Sequence, residues 1–228
     1  MRIEIWSDFA CPYCYIGEAR LKACLHALGA EDRVELVMKS FELDPNCSRE
    51  VLTKTPERFA GKYGMTLEAA QARIEEISEL GRREGLTFNY STTRYSNIFD
   101  AHRLAKYAES LGHHETYDTL FAAYFADNEN LADHRVLCAL AQKIGLDGEK
   151  TAQMLASTDY SEMVRRDEEE AHSLGIHGVP FFVINGSLVM EGAQPLSQMT
   201  RTLADMLAKD GADSPQKAGS CGPCGCTL

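Results

Sequence analysis

Two cysteines separated by two residues, Cys11 and Cys14 around Pro12 and Tyr13, have the spacing for thiol–disulfide exchange. In that chemistry one thiolate attacks a disulfide sulfur and a neighbouring thiol displaces the captured group. What the pair can do depends on the elements that hold it. Met1 to Ser7 alternates apolar and charged residues and reads as a strand over 2–7, with Ile3 and Ile5 on one face. A helix is expected from about Pro12 to Leu28, with Cys14, Leu21, Leu25 and Leu28 as its buried stripe and Gly29 as its stop. Cys11 then stands at the helix mouth, where unpaired N–H groups and the positive end of the helix dipole favour a thiolate. Pro12 suits the first turn because it needs no donor there and its φ is already set. Cys14 lies one turn below, within reach of the Cys11 sulfur. The rival reading is half a zinc site, completed on paper by Cys221 and Cys224. Zinc knuckles usually sit on hairpins, whereas this pair opens an amphipathic helix, so redox chemistry is favoured and no metal is expected.

The chain has 228 residues, 44 % of them apolar, which is ample for a core, and a formal charge of −11. That charge repels phosphate backbones and anionic lipid, so nucleic-acid and membrane partners are not expected. No stretch is apolar enough to span a membrane and no secretory signal opens the chain, which points to the cytoplasm. Of the eight cysteines, Cys24, Cys47 and Cys138 stand alone and read as small core or half-buried residues. Cys221, Cys224 and Cys226 form a second cluster among small residues. It is read as a secondary redox relay, a metal-binding tail or a loose thiol-rich end. A flexible tether from Leu207 to Cys221 spans ~20 Å on average, so relay needs a last helix that ends toward the dithiol.

Around the dithiol the pattern predicts an α/β layout. A second strand is expected over 33–41, ended by the turn Asp44-Pro45-Asn46. Residues from about 46 to 176 read as helical, with Thr55-Pro56, Thr66 and Asp133 as helix openings. The acidic run Asp167-Glu168-Glu169-Glu170 reads as the wet face of a helix. Phe181–Ile184 and Leu188–Met190 flank Asn185-Gly186-Ser187, a strong hairpin signal, and a closing helix is expected over Leu196–Leu207. Residues 1–45 and 176–208 then form one sheet-containing domain, 46–175 an all-helical insertion, and 209–228 a flexible tail carrying cysteines. Gly178-Val179-Pro180 before the third strand is either an ordinary turn or a cis-proline loop that turns the Val179 backbone outward, toward an extended peptide.

The chain resembles the DsbA-like thioredoxin-fold oxidoreductases, most closely the FrnE-like branch described as dithiol–disulfide isomerases. The resemblance rests on Ser7-Asp8-Phe9-Ala10-Cys11-Pro12-Tyr13-Cys14-Tyr15-Ile16-Gly17, Phe41-Glu42-Leu43-Asp44-Pro45-Asn46, the stretch from Asn97 to Leu104, Leu120–Phe125, Gly175–Val183 and Gly192–Pro195. It implies a thioredoxin-like fold interrupted by an all-helical insertion. It also implies a nucleophilic Cys11, a resolving Cys14 and a cis Val179–Pro180 bond facing Cys11. Pro12 and Tyr13 would tune the couple, and Tyr13 stands where close relatives usually carry Trp. Ile98 replaces a small hydroxyl residue. The implied partners are disulfide-containing proteins or small thiols, with no bound cofactor and glutathione as the candidate reductant. The alternatives are a glutathione-dependent isomerase or transferase-like enzyme and a zinc or thiol-binding module. Asn97 and His102, in the shared motif, read either as functional or as capping and packing residues. Neither the physiological substrate nor the oligomeric state is legible in the residues.

Overall fold

In the computed structural model, which describes residues 1–213, the alternating N-terminal segment forms strand β1 (Arg2–Ser7). It pairs in parallel with β2 (Glu35–Ser40) and antiparallel with β3 (Phe181–Ile184), which pairs antiparallel with β4 (Leu188–Glu191), giving the order β2-β1-β3-β4. The register sets Ile5 between Met38 and Phe182, and Trp6 between Lys39 and Phe181. Because side chains alternate along a strand, Ile3, Ile5, Phe182 and Ile184 share the face whose core includes α1 (Pro12–Ala27) and α9 (Leu196–Asp213). Trp6 and Val183 lie on the other face with Ala171 and Ile176. The sheet is thus a central layer between helices. Asn185 and Gly186, both with positive φ (49° and 67°), make the tight β3–β4 turn that matches the twist of a hairpin.

Between β2 and β3 run α2 (Thr55–Tyr63), α3 (Leu67–Arg83), α4 (Phe99–Ser110), α5 (Thr116–Phe125), α6 (His134–Lys143), α7 (Gly148–Ala156) and α8 (Ser161–Ser173). Thr66 and Asp133 cap α3 and α6 through their side-chain oxygens. Thr55 does not cap α2. Its hydroxyl instead donates to Thr93 O at 2.9 Å, and Lys54 takes the cap position. One face of the sheet shares an apolar core with α1–α7 and α9, while α8 contributes Ala171 to the smaller cluster on the other face. Tyr15 of α1 stacks on Phe121 and Phe125 of α5 at 5.1 and 5.7 Å between ring centroids, and Phe88 joins the stack 4.7 Å from Phe125. Gly81 of α3 lets Phe88 in, since a Cβ there would stand 2.3 Å from the ring.

Two further expectations are corrected. The acidic run is not simply a wet face. Asp167 of α8 is buried, accepts from Ser40 N at 2.9 Å and pairs with Lys106 at 2.7 Å and Lys39 at 3.5 Å. The same helix turn receives Trp6 Nε1 on Asp167 O at 2.9 Å. The buried Lys106 of α4 and the half-buried Lys39 of β2 need a counter-charge, and helical periodicity alone does not reveal them. The closing helix also continues past Leu207 to Asp213, into the segment read as flexible. Asp210 pairs with the Met1 ammonium at 3.1 Å and accepts from Asn185 Nδ2 at 2.8 Å, which ties that turn to the chain start and the hairpin.

Candidate active site

Cys11 is the N-cap residue of α1, extended at φ −91°, ψ 114°, with Pro12 opening the helix. Its N–H donates to Asp8 O at 3.0 Å and its carbonyl accepts from Cys14 N at 3.1 Å, which fixes the turn out of β1. The two thiols are free, and Cys11 is 4 % exposed and Cys14 1 %. The Cys11 thiol donates to Val179 O at 3.6 Å, joining residues 168 apart in the chain. The Val179–Pro180 peptide is cis. Gly17 lets α1 approach this loop, because a Cβ there would meet Pro180 Cγ at 3.0 Å. Pro180 O accepts from Gly192 N at 2.8 Å, which holds the loop from the far side.

Beneath Cys11, the Cys14 sulfur accepts from Asp8 N at 3.5 Å. Burial pushes the Cys14 thiol well up from its ordinary range, and its hydrogen bond and charge interaction with Cys11 add to the effect. Cys14 is therefore held protonated, while Cys11 faces the Val179 loop and the cavity. Asp8 is the site residue that motif reading passed over. It is 2 % exposed, and burial pushes its carboxyl up to about 6, against N–H donors from Leu43 and Ala10, each at 2.6 Å, and the nearby charges of Arg58 and Lys62. The available signal was an acid three residues before the first cysteine in an otherwise apolar stretch.

A cavity of about 550 Å³ opens in front of the dithiol. Cys11, Pro12, Tyr13 and Val179 form one wall, and α2 and α3 supply the other with Arg58, Phe59, Lys62, Tyr63 and Arg73. Arg73 Nη2 donates to Tyr13 OH at 3.3 Å, tying the residue between the cysteines to α3. The structure thus brings Cys11, Cys14, Pro12, Tyr13, Val179 and Pro180 into one locus.

His102 and Asn97 lie outside the lining of that cavity. His102 is buried and its ring sits 4.7 Å from Phe9. Burial, with the charges of Lys106 and Arg165, pushes it down to about 3, so its ring is neutral at physiological pH. Asn97 Oδ1 accepts from Phe99 N, the first residue of α4, at 3.1 Å and its Nδ2 donates to Pro45 O at 3.4 Å, an Asx turn and a loop tie, with Ile98 in the N-cap position. Cys24 is buried against Thr200, with 3.1 Å between Sγ and Oγ1, and Cys47 and Cys138 are half-buried. Cys221, Cys224 and Cys226 lie outside the described residues.

Comparison with known proteins bears on the same region. A family model described as a DSBA-like thioredoxin domain matches residues 2–204. A probable DsbA oxidoreductase from Streptomyces coelicolor is 39 % identical, with a TM-score of 0.87 over 100 % of this chain and 99 % of that one. An uncharacterized Bacillus subtilis protein, YwbO, is 28 % identical over 90 % of this chain and 96 % of its own length. The cytosolic disulfide reductase DsbM from Pseudomonas aeruginosa is 16 % identical, with a TM-score of 0.62 over 92 % of this chain and 100 % of that one, a likeness of fold.

Proposed function

The chain belongs to the DSBA-like thioredoxin family, and from that premise we propose that it is a thiol–disulfide oxidoreductase or isomerase working through Cys11 and Cys14. It is an oxidoreductase enzyme, and the partners of this family are disulfide-containing substrates. The observation that carries the assignment of the dithiol is the contact of the Val179 carbonyl with Cys11 beside a buried Cys14. The Val179 carbonyl lies 3.6 Å from Cys11 at the edge of the cavity, and Cys14 is buried behind it.

In this reading the Cys11 thiolate attacks a substrate disulfide and forms a mixed disulfide. Cys14 gives up its proton, attacks the Cys11 sulfur and releases the second substrate thiolate, leaving a Cys11–Cys14 disulfide. A buried, protonated Cys14 suits the second step, because it does not compete for the incoming disulfide. Val179, beside the nucleophile, offers main-chain polar groups to an extended substrate. The motif series from Ser7 to Pro195 supports the FrnE-like branch, and glutathione is the reductant this reading assigns. Among the described residues no helix is long and apolar enough to cross a membrane, and the cytoplasm is the compartment proposed.

The test is a pair of variants. Cys11→Ser abolishes insulin reduction, whereas Cys14→Ser accumulates trapped mixed disulfides on Cys11. Turnover by Cys11→Ser at the rate of the parent chain refutes the assignment. A glutathione-dependent isomerase is distinguished by the opposite behaviour of Cys14, which is then dispensable while glutathione is required.

A further inference from the structure

The cavity in front of Cys11 has a charge opposite to that of the molecule. The chain as a whole carries −11, yet among the described residues the cavity is lined by three cations, Arg58, Lys62 and Arg73, and by no Asp or Glu. Arg73 is committed, paired with Glu76 at 2.6 Å and bonded to Tyr13. Lys62 has no carboxylate at ion-pair distance among the described residues, and its ammonium lies 5.7 Å from the centre of the Tyr63 ring. The Arg58 guanidinium is stacked on the Tyr95 ring, 3.1 Å from its centroid, with the Asp44 carboxylate only at 3.9 Å. Both cations also act on Asp8 behind the dithiol.

Size points the same way. A volume of about 550 Å³ is that of a small-molecule site. At 4 % exposure, Cys11 is reachable by a slender disulfide entering the cavity more readily than by one set in a folded protein surface. The aromatic walls, Tyr63, Tyr90 and Tyr95, would cover the apolar part of such a ligand. We propose that the preferred substrates are small disulfides bearing carboxylates, which Arg58 and Lys62 hold while Cys11 attacks. The inference rests on the dithiol assignment above and names its substrate class.

The exchange balances without a further reactant in a single turnover. The Cys11 sulfur bonds to one substrate sulfur as the substrate S–S bond breaks, and the first thiolate leaves with the electron pair and is protonated by water. Cys14 then releases its proton to water and bonds to Cys11, the mixed disulfide breaks, and the second thiolate leaves with the electron pair and is protonated by water. The dithiol is oxidised by two electrons and the disulfide is reduced to two thiols. Anionic leaving thiolates and a positive wall are complementary throughout.

The test uses the pre-reduced full chain in single-turnover kinetics with three small disulfides of similar size: dithiodipropionate (anionic), bis(2-hydroxyethyl) disulfide (neutral) and cystamine (cationic). The expected order is anionic, neutral, cationic, with the anionic rate suppressed by added KCl. Lys62→Gln and Arg58→Gln should each lower the anionic-to-neutral rate ratio about threefold, the scale of a solvent-exposed ion pair. Lys62→Glu, at an exposed position where folding is not at stake, should lower it further and raise the cationic-to-neutral ratio. Equal rates for the anionic and neutral probes, or ratios unmoved by all three variants, overturn the substrate class and leave the dithiol assignment standing. Failure of all three probes to oxidise Cys11 and Cys14 overturns both.

Discussion

Replacing Asp8 by Asn should change the pH dependence of stability more than its average. Burial raises the Asp8 carboxyl from 3.8 to about 6. The unfolded chain therefore ionises first, and stability present below pH ~4 is lost as pH rises toward 6. A shift of that size corresponds to about 3 kcal/mol at pH 8, at 1.36 kcal/mol per pH unit. Asn does not ionise, so the variant escapes the loss. It carries a cost of its own, because the two carboxylate oxygens each serve one N–H, from Ala10 and Leu43. A single amide oxygen leaves one of them short, at about 1–3 kcal/mol. Asp8→Asn should thus be less stable than the parent chain at pH 4 and as stable or more stable at pH 8, the difference between the two chains moving by about 2–3 kcal/mol. Glu18, raised to about 7 by burial, titrates in the two chains alike and cancels. Glu42, raised to about 7 by burial and in smaller part by the Asp8 charge, loses that part in the variant, which moves the difference in the same direction. Urea unfolding of the reduced proteins at the two pH values measures this. The same destabilisation at both would show that Asp8 is not a carboxyl with a raised pKa.

Gly81→Ala places a methyl 2.3 Å from the Phe88 ring and should cost about 1–3 kcal/mol by overpacking, read as a lower urea midpoint that Phe88→Leu partly restores. Asp167→Ala leaves Lys106 and Ser40 N without their buried partner. A loss of about 3–5 kcal/mol is expected, and an unchanged midpoint would contradict the buried ion cluster. Asp210→Ala removes only partly exposed ties to Met1 and Asn185. It should cost less than about 1 kcal/mol, while amide exchange quickens through the last turns of α9.

Local patterning carried much of the architecture. The strand, helix and strand around Cys11, the Asn185-Gly186 turn and the helical run between β2 and β3 follow from apolar period and turn chemistry within a few neighbouring residues. The position of Cys11 at a helix mouth was legible for the same reason: Pro12 and the onset of the helical stripe are adjacent to it. Tertiary contact decided the rest. Val179 meets Cys11 across 168 positions, and α2 and α3 became the basic far wall of the cavity through packing that no local period encodes. Asp8 reads as one more polar residue until the Leu43 loop covers it. Asp167 looks solvated until Lys39 and Lys106 arrive from two other elements, and α9 keeps its last turns because Asp210 finds the chain start and the hairpin. A sequence pattern records which face of an element is apolar. The burial of a charge depends on which distant groups come to surround it, and only the folded chain determines that.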